Sequence, residues 1–259
     1  MNKYFATFKI HIQESFQYVA DLIASGFVTL IYVFIFYNLW RTIYTQHQVA
    51  GFTLVAIVWY FGVAQILRAT GGRPVKDVSQ VIQDGTIINY MNKPISFLWF
   101  QASTQIGRNF ATFLSSSVLV SVFVFLVMGA PETAWFFIPL AILTILFGLV
   151  INFLLGFALA TSAFWVEDAN PIHWVYDKIV FLLGGLLFPI DLLPDVFMSI
   201  ARFLPTSYFV YYPAKLLSSF DLALFFEVLI GQIFYLFILV LLVNFLLKKG
   251  MKKLSVNGG

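Results

Sequence analysis

The sequence predicts an all-α membrane protein with six transmembrane helices. Hydrophobic residues make up 61% of it and charged residues only 10%, whereas a soluble domain is about 45–50% apolar and about 25% charged. Apolar stretches that approach the roughly 20 residues needed to cross a bilayer recur six times. Because these spans use up much of the chain, we expect residues 1–259 to form a single membrane domain.

The bounds of the six transmembrane spans are predicted from the apolar runs and from the polar or aromatic residues between them. The fifth run, 179–188, is too short alone, so we begin that helix near Ile172, within the polar loop 166–178. Part of the long third run, 97–109, is expected to lie at or below the membrane interface. The predicted spans are 22–40, 52–67, 110–128, 135–164, 172–188 and 224–247.

Residues 1–20 are predicted to form an amphipathic helix. Apolar side chains recur every three or four positions, at Phe5, Phe8, Ile12 and Phe16, while polar residues such as Lys9 face elsewhere. Aromatic residues on one face and lysine on the other favour a helix in the plane of the lipid headgroups. The alternative is an ordinary helix packed on the spans.

A polar stretch, 71–94, interrupts the apolar pattern between the second and third spans. Pro74 suits a first helical position, and Gly85 is placed to end the helix. Three apolar residues, Val75, Val78 and Ile82, share one face, which predicts a short amphipathic helix over 74–84 and a return segment ending at Pro94. Such a helix is marginal alone in water, so its apolar face is expected to fill a groove on a partner or to pad the membrane face.

Prolines break the region between the fifth and sixth spans, 184–213, into short apolar runs. Irregular backbone at membrane depth requires a cover of protein or water, which predicts a re-entrant tract or short outer helices. Gly184 and Gly185 could allow close packing between subunits or form a hinge. Asp191 and Asp195 are expected to cap short helices, and the alternative is a rim that attracts cations at the exit of the pathway. The prolines are Pro189, Pro194, Pro205 and Pro213.

Lysine and arginine predict the orientation. With both termini inside, twelve of the fifteen cationic residues fall on the inner side and three, Arg41, Arg202 and Lys215, on the outer side. The stretch 71–94 and the loop 166–178 are then cytoplasmic, and the tract 184–213 faces outward.

The sequence carries no evident catalytic chemistry. It lacks the glycine-rich phosphate loop of an ATPase, and we expect no enzyme activity, no cofactor or metal in this chain and no nucleic-acid partner. Asn38, Gln65 and Asn152 lie at membrane depth, where polar residues line a pathway or form hydrogen bonds between helices.

Two segments resemble type 2 ABC transporter permeases, in particular the short six-span export permeases. One is VIQDGTIINYMNKPIS (81–96) and the other is LLGGLLFPIDLLPDVFMSIARFLPTSYFVYYP (182–213). With the amino-terminal helix and the six spans, the resemblance covers essentially the whole chain.

The resemblance implies one permease subunit of an ATP-driven exporter in a bacterial or archaeal cell membrane. A second permease, identical or a sister subunit, would complete the pathway, and two ATPase subunits would carry ATP and magnesium. In this family the helix between spans two and three docks on the ATPase as a coupling helix. The alternative is an ATP-independent channel or secondary carrier, which the absence of an ionisable relay inside the spans disfavours.

The residues expected to act in coupling and in the pathway follow from these arguments. Those expected at the ATPase contact are Pro74, Val75, Val78, Ile82, Asp84, Gly85, Tyr90, Pro94, Glu167 and Asp168. Those expected in the pathway or gate are Asn38, Gln65, Asn152, Gly184, Gly185, Pro189, Pro194 and Pro205.

Overall fold

A computed structural model of the chain describes residues 3–46, 51–91, 93–166 and 168–257. Within these ranges the chain forms twelve α-helices, three short 3-10 turns and no β-strand. In chain order the helices are α1 (Lys3–Gln17), α2 (Val19–Gln46), α3 (Leu54–Thr70), α4 (Pro74–Gln83), α5 (Ile88–Met91), α6 (Phe97–Met128), α7 (Ile138–Ala160), α8 (Asn170–Leu182), α9 (Asp195–Phe203), α10 (Pro205–Phe209), α11 (Tyr211–Ser218) and α12 (Leu222–Asn257).

Five helical stretches of the described chain are long and apolar enough to cross a membrane, which confirms the all-helical membrane class. The stretch that contains α3 is the core of the bundle, since 72% of its most apolar window is buried against 17–39% in the other four. The others expose apolar side chains that suit lipid contact. The five stretches are Val19–Gln46, Leu54–Gln83, Phe97–Met128, Trp135–Phe164 and Leu222–Lys253.

The amino-terminal helix α1 packs along the first half of α6. A Cβ on Gly107 of α6 would lie 2.8 Å from the Cβ of His11, so the glycine permits this close approach. The Ser15 hydroxyl donates to the backbone oxygen of Arg108 at 3.1 Å. Because none of the residues of α1 is fully buried, α1 is both packed on a long helix and accessible. Its position in the headgroup plane stays a prediction.

The predicted fifth span is not one long helix. Helix α8 has 13 residues, about 20 Å at 1.5 Å per residue, which is too short for about 30 Å of hydrocarbon. The helix ends because Gly185 has a φ of +89°, a left-handed conformation that redirects the chain. A span over 172–188 in a single helix is therefore wrong.

The tract after α8 reaches the end of the bundle opposite α4 and then folds back. Asp191 lies 2.9 Å from Lys215 of α11, and α11 ends beside the α6–α7 turn, where the Glu132 N–H donates to the Ser218 oxygen at 3.2 Å. Between these points α10 lies against the middle of α7, because a Cβ on Gly148 would meet the Phe209 oxygen at 2.9 Å. The bundle thus covers the broken backbone with protein.

Candidate functional site

The helix α4 lies at one end of the bundle, and two glycines allow it to begin there. Gly72 has a φ of +64°, and a Cβ on it would lie 2.7 Å from the Asn109 amide nitrogen. Pro74 follows at the start of the helix and lies against Gly156 of α7, where a Cβ would come 2.3 Å from its Cγ. The turn from α3 into α4 is therefore set by close contacts with α6 and α7.

The apolar face of α4 is covered by the chain itself. Val75, Val78 and Ile82 are each at most 3% exposed, and α4 packs on α7 and on the 3-10 turn Thr161–Phe164. The expectation that this face fills a groove on a partner is wrong. Periodicity identified the residues that share a face, but the covering surface comes from a helix some 70 residues later in the chain.

A polar contact holds α4 to α6 as well. The Gln105 amide nitrogen donates to the Asp77 carboxylate at 2.6 Å, and Gln105 itself is buried. A buried amide bound to a carboxylate is costly to disrupt, so this contact fixes α4 between α6 and α7.

The outward face of α4 is polar. Lys76, Gln80, Gln83 and Asp84 are exposed, and the Asp84 N–H donates to the Gln80 oxygen at the end of the helix. Any partner at this end of the bundle therefore meets amides and charges, not the valine and isoleucine face.

The return segment reverses the chain after α4. Gly85 has a φ of +69°, and the Ile87 N–H donates to the Val81 oxygen at 3.1 Å. Tyr90 then packs its ring 5.0 Å from the ring of Phe100 in α6. These contacts hold the segment against the bundle.

The amino-terminal helix α1 also contacts the return segment, which sequence analysis missed. The Lys3 ammonium donates to the exposed Pro94 oxygen, and the Tyr4 hydroxyl accepts from the Ser96 N–H at 2.9 Å. The polar edge of α1 could have indicated that this helix makes polar contacts. No local feature of the sequence, however, identifies the segment near Pro94 as the partner of α1.

Of the two acidic residues predicted to contact the ATPase, Glu167 and Asp168, the structure describes only Asp168. The Asp168 carboxylate accepts from the Asn170 N–H at 2.9 Å, just before α8, and the N-cap residue of that helix is Ala169. Glu167 lies outside the described residues.

Asn152, predicted for the pathway, joins three helical segments. Its amide nitrogen donates to the Gly71 oxygen at 2.8 Å, and its oxygen accepts from the Tyr176 hydroxyl at 2.6 Å. It thereby links α7 to the α3–α4 turn and to α8. This arrangement matches hydrogen bonding between helices, the alternative considered from the sequence.

The other two polar candidates do not meet Asn152. The buried Gln65 accepts from the Arg68 side chain at 2.7 Å within α3. Asn38 is exposed on α2 and donates to the Phe34 oxygen at 2.8 Å. The three residues therefore form no common polar lining.

The glycines and prolines of the tract shape its turns. Gly184 and Gly185 are buried inside the chain, where the Tyr60 hydroxyl donates to the Gly185 oxygen at 2.5 Å. They therefore serve as the turn after α8, and packing against a second subunit is not their role. Pro189 and Pro194 directly precede a 3-10 turn and α9, and Pro205 begins α10.

Asp191 is the centre of a polar cluster at the end opposite α4. Its carboxylate accepts from the Lys215 ammonium at 2.9 Å and from the Tyr211 hydroxyl at 2.7 Å, and lies 3.7 Å from the Arg202 guanidinium. The expected capping role of Asp191 is wrong, and Asp195 is the first residue of α9 with no side-chain cap at that helix end.

Gln232 is a second polar residue that sequence analysis missed. It is fully buried in α12 and donates to the Thr144 oxygen at 2.8 Å and the Tyr208 oxygen at 3.0 Å. The signal was a lone glutamine inside an apolar span. It joins α12 to α7 and α10.

These features define a polytopic helical membrane protein in which a short helix is fixed at one end of the bundle. The chain belongs to the ABC-2 transporter family, since the model of the family described as "ABC-2 family transporter protein" matches residues 7–258. The chain is thus a type 2 ABC permease, a membrane transport component, and the resemblance drawn from its sequence is confirmed. No curated protein matches the chain significantly.

Proposed function

We propose that this permease is one subunit of an ATP-driven exporter and that α4 is its coupling helix. The observation that carries the proposal is the position of α4, which lies at one end of the bundle with its apolar face on α7 and its polar face outward. A partner that displaces the outward face of α4 would also displace α6 and α7, because Asp77 contacts Gln105 of α6 and Pro74 contacts Gly156 of α7. ATP and magnesium would bind to two separate ATPase subunits.

The coupling contact would use the exposed face of α4. Val75, Val78 and Ile82 then act by positioning the helix on α7, and Lys76, Gln80 and Asp84 meet the ATPase. This assignment follows from burial, because side chains at most 3% exposed offer almost no surface to a partner.

We also propose that α8 and the chain up to Asp191 together make a sixth crossing. Helix α8 contacts α4 at one end of the bundle, and Asp191 lies beside Lys215 at the opposite end. With six crossings both termini lie on one side, and the excess of cationic residues there favours the cytoplasmic side. The cell membrane would be bacterial or archaeal, as the resemblance implies. A second permease, identical or a sister subunit, would complete the pathway.

The test is the substitution Gln80→Arg on the exposed face of α4. We expect the variant to fold and insert normally but to lose co-purification with the ATPase and ATP-dependent transport, because an added charge on a docking face must be desolvated. The matched control is Gln46→Arg, the same change on an exposed residue of α2 at the other end of the bundle.

Two results would count against the proposal. If no ATPase co-purifies after gentle extraction and transport persists without ATP, the chain acts as an ATP-independent channel or carrier. If Gln80→Arg and Gln46→Arg behave alike, α4 is not the coupling surface.

A further inference from the structure

We propose that the junction of α3, α4 and α8 binds a phosphate-bearing anion. A cavity of about 270 Å³ lies there, just below the range of about 300–1,000 Å³ for ligand pockets. Its size suits a headgroup or a small phosphate compound. The proposal concerns this site alone and does not depend on coupling to an ATPase.

The charge of the lining residues selects an anion. Arg68, Arg73 and Lys178 line the cavity, and Asp177 is the one carboxylate among its lining residues in the described chain. Asp177 already lies 3.5 Å from the imidazole of His173. Three cationic residues thus line the space with one carboxylate, which leaves an excess of positive charge at the cavity for a ligand to neutralise.

The contacts of these cations leave donors available. Arg68 uses its Nε to donate to Gln65 and stacks 4.4 Å from the ring of Tyr32, and its two terminal nitrogens form no hydrogen bond within the described chain. Lys178 lies 5.4 Å from the ring of Trp174 and forms no ion pair with a described residue. A guanidinium held at one edge presents its remaining donors in the geometry that phosphate oxygens accept.

The position of the cavity distinguishes this site from a set of exposed cationic side chains at the membrane surface. Exposed lysines near a membrane bind lipid headgroups diffusely, but here Arg68 is half-buried and the cavity wall includes the buried Asn152 and Tyr176. The amino end of α4 opens at the same place and adds the positive end of a helix dipole. A ligand bound there touches α3, α4 and α8 together, so its binding is expected to be saturable at one per chain.

The test uses the full-length protein in an uncharged detergent after removal of lipid. Phosphatidylglycerol, phosphatidylcholine and inorganic phosphate are added separately, and binding is followed by native mass spectrometry and by the shift in Tm. We expect one saturable anion per chain. Arg73→Gln and Lys178→Gln are each expected to weaken binding about tenfold, or about 1.4 kcal/mol.

The matched control is Lys76→Gln, which removes the same charge from α4 at an exposed position outside the cavity. It is expected to bind as the parent protein does. Arg73 and Lys178 are exposed as well, so both variants should keep the Tm of the ligand-free protein. If Arg73→Gln unfolds, Lys178→Gln on a different helix decides the question.

The probes separate the two sources of the phosphate group. If inorganic phosphate binds and Lys178→Gln weakens that binding, a free phosphate anion is sufficient to occupy the cavity. If phosphatidylglycerol binds but inorganic phosphate and phosphatidylcholine do not, the ligand is an anionic lipid headgroup. The proposal is wrong if no probe binds saturably, or if Lys76→Gln weakens binding as much as the cavity variants do.

Discussion

The contact between Gly156 and Pro74 offers the most direct test of how α4 is held. In Gly156→Ala the new Cβ would lie 2.3 Å from the Pro74 Cγ and 2.9 Å from its Cβ, whereas ordinary contact begins at 3.4 Å. One of the two helices must therefore move by about 1.1 Å. The proline ring cannot rotate out of the way, because it is closed on its own backbone.

The size of the effect follows from two opposing terms. Overpacking a well-packed contact costs about 1–3 kcal/mol, and alanine in place of glycine inside a helix returns about 0.5–1 kcal/mol. We expect a net loss of about 1 kcal/mol in the free energy of unfolding, or about 2–4 °C in Tm for a chain of this size. Transport should fall further than stability, because the displaced element is α4.

Thermal unfolding in detergent and transport in reconstituted vesicles measure the two effects. Pro74→Ala supplies the control, because it removes the Cγ that the new methyl group meets and closes a double-mutant cycle. Gly156→Ala should then cost less in the Pro74→Ala background than in the parent protein. Equal cost in both backgrounds, or no cost in either, would refute the reasoning.

Two further predictions concern polar contacts inside the bundle. Asn152→Leu leaves the Gly71 oxygen and the Tyr176 hydroxyl without their partner, so it should lower the unfolding free energy by about 2–4 kcal/mol, against about 1 kcal/mol for Tyr176→Phe; equal losses in thermal unfolding would contradict the bridging role of Asn152. Asp191→Asn keeps the shape of the side chain but removes the charge that pairs with Lys215, so it should cost about 1–3 kcal/mol, because these hydrogen bonds to a charged group are part-buried. That cost should shrink in high salt, and a loss independent of salt would show that charge is not its cause.

Local signals in the sequence were enough to locate most helices. The helix predicted over 74–84 is found at Pro74–Gln83 with Asp84 as its last cap, because proline at the start, glycine after the end and a three-to-four residue period are all local. Prolines likewise marked the starts of the short helices in the tract 184–213.

Contacts between distant segments were beyond the same reasoning. The sequence identified Asn152 as a polar residue at membrane depth, but its partners Gly71 and Tyr176 lie 81 and 24 positions away. Asp191 was assigned to a cap because that is the usual local role of aspartate beside a short helix. Lys215 and Arg202, which it pairs with, approach only after the tract folds back.

The sequence by itself determined that this is a helical membrane protein, that a short amphipathic helix follows the second span, and that cationic residues are segregated along the chain. These properties depend on composition, on hydrophobic periodicity and on the residues that begin and end helices, all of which act within a few turns of the chain. Only the tertiary structure decided that α7 covers the apolar face of α4, that the segment predicted as a fifth span is not one helix, and that Arg68, Arg73 and Lys178 line one cavity. Each of these depends on surfaces supplied by helices far apart in the sequence, and packing, not local preference, selects them.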